Sequence, residues 1–140
     1  MDPVLKKMNF KEGMKIRVWN APIDLKPLIE SWEKEGLMAG STEKPTFFLA
    51  FAQTEEEVRK LFPELHALAP EDEVLWMAYP KGTSKKYKAQ INRDSGWKIV
   101  GEHDYEGVRQ IAIDEDWSAM RFRKVKFIKI MTRKFSAKNQ

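Results

Sequence analysis

The sequence predicts an α/β fold: a small three-layer sandwich whose mainly parallel sheet ends in a C-terminal antiparallel hairpin. Strand-like and helix-like segments alternate along most of the chain, which is the order that produces parallel strands joined by right-handed helical crossovers. The segments at residues 46–52 and 74–79 are continuously apolar, as strands covered by helices on both faces are. The last two strand-like segments are joined by a short acidic connection, which indicates the hairpin.

The length and composition are typical of one domain. A chain of 140 residues can bury a core of its own, and we expect an N-terminal extension at residues 1–9, one domain at residues 10–128 and a basic tail at residues 129–140. The absence of cysteine excludes disulfides, thiolate metal ligands and cysteine nucleophiles. No apolar run approaches the ~20 residues that span a bilayer, so we expect a cytoplasmic protein with no membrane span.

The first part of the chain predicts a strand, a helix and a second strand. Residues 14–19 alternate between apolar and polar side chains, as a strand does. An amphipathic helix follows, with Asp24 as its candidate cap, Gly36 as its end, and apolar side chains at helical spacing, namely Leu25, Leu28, Ile29 and Trp32. A vestigial strand at residues 37–39 precedes the buried strand at residues 46–52.

A capping box opens the next helix. Thr54 and Glu57 have the spacing at which each side chain can bind a backbone N–H of the first turn. The helix turns four apolar side chains inward, Val58, Leu61, Leu65 and Leu68. Pro63 should bend this helix or split it in two, because proline lacks a hydrogen-bond donor and clashes with the preceding turn.

The second part of the chain predicts three strands and a weaker helix. The apolar strand at residues 74–79 is followed by a helix at residues 92–100. Residues 108–113 then form a strand, and residues 119–123 return as its antiparallel partner, with an extension to residue 127 left open. The last two strands are the predicted hairpin.

A basic loop follows the strand at residues 74–79. Pro80 ends the strand, because proline cannot donate to a sheet ladder, and the loop carries Lys81, Lys85 and Lys86. In open α/β sheets ligands bind at the carboxyl ends of the strands. These lysines could hold a phosphate or a carboxylate, or they could belong to an ordinary solvated loop.

The acidic connection of the hairpin offers a second set of candidate residues. Asp114 and Asp116 could bind a hard cation or act as acid and base, but such side chains more often form the turn itself. Trp117 could stack on a ligand or pack beside the sheet. Arg121 could clamp an anion, although an ion pair with Asp114 or Asp116 is the favoured interpretation.

Two motifs carry a resemblance to a known family. Residues 75–82 read LWMAYPKG, and residues 114–122 read DEDWSAMRF. With these motifs, the chain resembles small bacterial proteins that carry a domain of unknown function with LWxAxPKG and DExWSxxRF sequences. The resemblance implies a reduced Rossmann-like fold related to methyltransferases, and no particular activity. In such folds the last strand inserts antiparallel beside the third strand of this series, which would bring the basic loop and the acidic turn to one sheet edge, with Asn20 and Tyr79 as further ligand-binding candidates.

The turn after the first strand is unfavourable for a standard cofactor. A nucleotide or S-adenosylmethionine site needs a glycine-rich turn there, because only glycine lets the backbone approach the ligand closely, whereas this chain has Asn20, Ala21 and Pro22. We therefore expect no cofactor. His66 and His103 lie far apart in sequence and are expected to be structural or exposed, so we also expect no metal site and no catalytic residues.

The leading functional hypothesis is a non-catalytic binding or regulatory module, with a crevice for a small anion or a protein partner between the basic loop and the acidic turn. The enzyme alternative is a divergent methyltransferase-like transferase with Asp116 as base. A third hypothesis rests on charge. The chain up to Tyr79 contains 10 Lys+Arg and 14 Asp+Glu, whereas the chain from Pro80 onward contains 15 Lys+Arg and 7 Asp+Glu. This basic C-terminal portion could attract nucleic acid, although a solvated charged surface explains the same pattern.

Overall fold

The computed structural model describes residues 2–128, which are arranged around one five-stranded sheet. The strands are β1 (Ile16–Trp19), β2 (Phe47–Phe51), β3 (Val74–Pro80), β4 (Tyr105–Ala112) and β5 (Trp117–Lys124), and their order in the sheet is β1-β2-β3-β5-β4. β1, β2 and β3 are parallel, whereas β5 runs antiparallel to both β3 and β4. The predicted α/β fold with its closing hairpin is confirmed, but only two of the four pairings are parallel, so the sheet is less parallel than predicted.

Helices cover both faces of the sheet and complete the three layers. They are α1 (Pro3–Lys7), α2 (Lys26–Lys34), α3 (Glu55–Leu68) and α4 (Lys98–Glu102), with a 3₁₀ turn at Ile23–Leu25 before α2. α1 and α2 bury Leu5 and Trp32 against one face, which includes Trp76 of β3. α3 and α4 bury Phe62 and Val100 against the other face. β2 and β3 are buried along their whole length because both of their faces are covered.

The first residues of the chain, predicted as an extension, pack into the core. Leu5 and Met8 are fully buried. The Asp2 carboxylate caps α1 at 2.8 Å and also accepts a 2.6 Å hydrogen bond from Trp32 Nε1. Trp76 Nε1 donates to the Met8 carbonyl at 3.0 Å. Because these bonds satisfy the polar edges of two buried indoles, α1 is an integral part of the layer that it shares with α2.

α3 is one continuous helix. Thr54 Oγ1 accepts a 3.1 Å hydrogen bond from Glu57 N–H, and Glu57 Oε1 accepts a 2.9 Å bond from the N–H of the residue before Thr54. This arrangement confirms the predicted capping box, with one of its bonds displaced by one residue. Pro63 does not split the helix, because Phe62 and Leu65 on either side of it are fully buried and hold both halves against the sheet.

α4 begins later than predicted. Asn92 and Ser95 bond to each other across a short turn instead of starting a helix, with Asn92 N–H donating to Ser95 O at 3.2 Å. Gly96 then adopts a φ of 102°. Since a helix cannot continue through that conformation, the first helical residue is Lys98.

Asp24 does not cap α2. Leu25 precedes the helix without a side-chain capping bond, and Pro27 lies in the first helical turn, where its missing N–H has no partner to lose. The Asp24 carboxylate instead accepts a 2.9 Å hydrogen bond from the Tyr87 hydroxyl. Its role is therefore a tertiary contact with the loop after β3.

The edges of the sheet agree in part with the sequence. Met38 forms an isolated parallel bridge with Ile16, which confirms the vestigial strand. β5 ends at Lys124, so the extension to residue 127 is not part of it. The predicted basic tail at residues 129–140 lies outside the described residues. Among the helices of residues 2–128, none combines the length and the apolar character needed to cross a membrane.

Candidate functional site

The basic loop and the acidic turn meet at the carboxyl end of β3. Lys81 N–H donates to Asp116 O at 2.8 Å, and Ser84 Oγ donates to Asp116 Oδ1 at 2.8 Å. They meet because β5 pairs antiparallel with β3 and places Trp117 opposite Pro80, so the hairpin turn begins where β3 ends. The last strand therefore has the position beside β3 that the family resemblance implies.

A cavity of about 550 Å³ opens beside this contact, and we call it the β3 crevice. Its lining combines two cations, two aliphatic hydroxyls and three amides, namely Lys81, Arg93, Thr83, Ser118, Gln90, Asn92 and Gln110. Tyr79 closes it from the sheet side. Of the nine ligand-binding residues predicted from the sequence, Tyr79 and Lys81 line this cavity.

Tyr79, one of the residues that line the crevice, carries an unpaired polar group. The side chain is only 3% exposed, and its ring packs edge-on against Trp97 at 5.5 Å between centroids. Its hydroxyl is buried and has no hydrogen-bond partner within residues 2–128. Burial raises the pKa of Tyr79, with nearby Arg93 opposing the shift, so the hydroxyl keeps its proton at neutral pH. A buried hydroxyl without a partner is uncommon and marks a position where a ligand atom could bind.

The acidic turn uses its carboxylates within the protein. Asp114 Oδ1 accepts hydrogen bonds from the N–H groups of Asp116 and Trp117, both at 2.8 Å. Asp116 is held by Ser84. These are turn-forming contacts, which is the commoner of the two roles considered for the pair. In the part of the chain that the structure describes, no three His, Cys, Asp or Glu side chains come together as a metal site.

Asn20 connects the ends of two parallel strands. It adopts a left-handed φ of 59°, which asparagine tolerates better than most residues. Its Nδ2 donates to Phe51 O at 2.9 Å and to Glu57 Oε2 at 2.8 Å. The side chain therefore spans from β1 to the end of β2 and the first turn of α3.

Trp117 and the two outer lysines lie outside the crevice. Trp117 is 1% exposed, packs edge-on against Phe51 at 5.2 Å and makes a tilted ring contact with Tyr87 at 4.9 Å between centroids. This placement matches its alternative role in packing. Lys86 forms a 3.5 Å ion pair with Asp24, and Lys85 is exposed.

Arg121 lies in the middle of β5, away from the turn. It is opposite Trp76 of β3 on one side and Arg109 of β4 on the other. The predicted ion pair with Asp114 or Asp116 is wrong for the described residues, since Arg121 makes none with either. A strand rises about 3.3 Å per residue, so four residues along β5 carry Arg121 well beyond the turn.

The two histidines, separated in sequence, are neighbours in the structure. Their ring centroids are 4.9 Å apart, and both line a cavity of about 740 Å³ at the opposite end of the sheet. His66 Nδ1 lies 3.0 Å from the Tyr105 hydroxyl. Burial, with His103 and Lys124 adding to it, lowers the pKa of His66. Sequence spacing could not show this pair, because it forms only where α3 and the end of α4 pack together.

Two solved structures resemble this chain in fold. One is a protein of the NADB-Rossmann superfamily from Streptococcus agalactiae, with 10% sequence identity and a TM-score of 0.51, over 89% of this chain and 68% of that one. The other is a SAM-dependent methyltransferase from Aquifex aeolicus, with 14% identity and a TM-score of 0.52, over 85% of this chain and 86% of that one. The chain has a Rossmann-like fold. No protein-family model and no curated protein matches the sequence, so the resemblance based on the two motifs stays a prediction.

Within this Rossmann-like fold the β3 crevice has a position typical of ligand sites. It lies beyond the carboxyl end of a central parallel strand, next to the point where the sheet changes from parallel to antiparallel pairing. Open α/β sheets bind ligands outside such strand ends. At these sequence identities, however, the similarity concerns the fold, and the chemistry must be argued from the side chains.

Proposed function

We propose that the protein is a non-catalytic binding module that holds a small anion in the β3 crevice. The observation that carries this proposal is the buried hydroxyl of Tyr79, which lacks a hydrogen-bond partner within residues 2–128 and belongs to a residue that lines a cavity with two cations. An oxyanion could accept a hydrogen bond from Tyr79 and pair with Lys81 and Arg93. One ligand would then provide an acceptor for the Tyr79 hydroxyl and a counter-charge for both cations.

The composition of the crevice supports binding over catalysis. Its described lining offers hydroxyls, amides and cations, and includes no carboxylate or imidazole that could take a proton as general base. The same donors would accommodate an acidic side chain of a protein partner. Because we expect the protein in the cytoplasm, the proposed ligand is an anion of the cytoplasm.

A residue-resolved titration tests this function. The ¹⁵N-labelled protein is titrated with inorganic phosphate and with citrate, and the amide shifts of Tyr79, Lys81 and Gln110 are followed. We expect saturable shifts there, and about a tenfold loss of affinity in Lys81→Gln, because a charge-assisted hydrogen bond is lost. Lys85→Gln is the matched control, since it removes the same charge from an exposed side chain of the same loop.

Equal affinity in Lys81→Gln and Lys85→Gln would contradict the proposed anion site. So would the absence of saturable shifts at the crevice with both anions. Saturable shifts confined to residues outside the crevice would assign the binding to another part of the surface.

A methyltransferase-like transferase is the second candidate, favoured by the similarity to the SAM-dependent methyltransferase from Aquifex aeolicus. Asn20 stands against it, because its side chain bonds across the ends of β1 and β2 where a glycine-rich turn would admit a cofactor. Titration with S-adenosylmethionine at millimolar concentration separates the two proposals. Saturable shifts of the Asn20 amide would support the transferase, and no response would eliminate it.

A further inference from the structure

A second group of cations lies on the opposite face of the sheet from the β3 crevice. Met120 and Phe122 of β5 face α3 and α4, so Arg121 between them projects to the face that carries α1 and α2. Arg109 of β4 is directly opposite Arg121, and Arg123 is two residues further along β5. We call these three side chains the arginine face.

Only one of the three arginines has a described counter-charge. Arg123 forms a forked pair with Asp72, with Nη2 to Oδ2 at 2.6 Å and Nε to Oδ1 at 3.0 Å. Neither Arg109 nor Arg121 forms an ion pair within residues 2–128. Glu106 is the acidic side chain of β4, and its register partner is Arg123.

Arg121 has the most to gain from an anion. Its Nε is buried and has no hydrogen-bond partner within the described residues. Burial, Arg123 and Arg109 all lower the pKa of Arg121, and only Asp72 opposes them. Like charges directly opposite each other on neighbouring strands are destabilising, and an unpaired, partly buried cation adds a desolvation cost. A bound anion would relieve both effects.

We propose that Arg109 and Arg121 bind a phosphate group between them, at a site separate from the β3 crevice. The two guanidinium groups present forked donors, which match the oxygens of a phosphate in a bidentate manner. A phosphate monoester carries a charge of about −1.5 to −2 at neutral pH, which balances two arginines, whereas one carboxylate balances only one. Charge complementarity therefore favours phosphate over carboxylate.

The Arg121 side chain is itself the reporter in the test. Inorganic phosphate is added to ¹⁵N-labelled protein at constant ionic strength, adjusted with sodium chloride, and the arginine Nε–Hε signals are recorded. We expect a saturable shift of the Arg121 signal, and a loss of affinity of about tenfold or more in Arg109→Gln. Arg59→Gln is the matched control, because it removes the same charge from an exposed position of α3 on the other face of the sheet and should leave phosphate binding at Arg121 unchanged.

Thermal unfolding provides an independent measurement. Phosphate should raise the melting temperature of the wild-type protein, and should do so much less for Arg121→Gln, since a ligand stabilises only the state that binds it. An unmoved Arg121 signal, or equal stabilisation of wild type and Arg121→Gln, would overturn the proposal. Failure of the anion function at the β3 crevice is distinguishable, because that function is measured at Tyr79 and Lys81.

Discussion

Single side chains join the parallel strands to the elements that follow them. Asn20 bonds to the end of β2 and to Glu57, and Glu57 in turn accepts the N–H that precedes α3. One carboxylate therefore orders both the turn after β1 and the start of the next helix. Such shared contacts give the strand ends fixed positions, and a ligand site at the edge of the sheet depends on those positions.

The histidine pair is the second feature at the scale of residues. His66 and His103 pack around Phe62, whose ring lies edge-on to His103 at 5.4 Å between centroids. Burial raises the pKa of Tyr105 to about 12, so this hydroxyl remains neutral beside His66. Lys124, Lys126 and Asp104 also line the cavity, and Lys124 carries the same charge that protonation would give His66, which disfavours that protonation.

Acidification should destabilise the protein through His66. Because the folded pKa of His66 lies below its usual 6.5, the stability from the neutral form is complete above about pH 6.5 and is lost as the pH falls through the lower folded pKa. Urea unfolding between about pH 8 and about pH 5, a range that includes the usual pKa, measures this loss of stability. We expect a shallower pH dependence in His66→Gln, and equal slopes for both proteins would contradict the assignment.

At the scale of elements, α3 illustrates how local signals define a helix. Its N-terminal turn has three acidic side chains and a threonine cap, which together satisfy free N–H groups and complement the helix dipole. Its inner face buries Val58, Phe62 and Leu65. The sequence pattern placed Leu61 and Leu68 on that face as well, and the structure has them partly buried at its margins.

Removing the cap should weaken α3. Thr54→Ala deletes the acceptor of the Glu57 N–H, and we expect a loss of about 1 kcal/mol in the free energy of unfolding. Thr42→Ala is the matched control, since Thr42 is exposed in a turn before β2. Urea denaturation followed by circular dichroism measures both, and an equal effect of the two substitutions would show that the capping bond contributes nothing measurable.

The role of β4 depends on the register of its pairing with β5. It is an edge strand with mostly exposed side chains, including Val108 at 43% exposure. A register shift between Gly107 and Arg109 interrupts its pairing with β5, as a β-bulge does. The bulge brings Arg109 opposite Arg121, and a bulged, charged edge also discourages pairing with another chain.

At the scale of the whole molecule, the loop after β3 closes the carboxyl edge of the sheet. Asp116 holds it from the hairpin side through Ser84 and the Lys81 N–H, and Asp24 holds it from the α2 side through the Tyr87 hydroxyl. The loop thereby joins the turn before α2 to the turn of the C-terminal hairpin. It also forms one wall of the β3 crevice.

Loss of the Asp116 carboxylate should loosen this loop. Asp116→Ala removes the acceptor for Ser84 Oγ, and we expect a cost of about 1–2 kcal/mol in the free energy of unfolding. Hydrogen exchange should quicken in residues 81–90 more than in β2, because the remaining core is untouched. Glu115→Ala is the matched control on the exposed position of the same turn. Similar exchange in both variants would contradict a tethering role for Asp116.

The sequence by itself determined the features that depend on local patterns. Continuous apolar runs mark β2 and β3 because a strand covered on both faces must exclude polar side chains. The capping box of α3 and the Asp114 turn depend on side chains within a few residues of the groups that they bind. The fold class and the closing hairpin were therefore predictable, whereas the meeting of the basic loop with the acidic turn was implied by the family resemblance.

Only the tertiary structure decided which distant side chains meet. Asn20 became a connection between strands, and Trp117 a core residue, because partners from other elements surround them. The pairing of His66 with His103 and of Arg109 with Arg121 depends on helix packing and on one bulge. A shift of one residue reverses the face on which every side chain of a strand lies, so register, which is set by contacts far apart in the chain, decided the candidate sites.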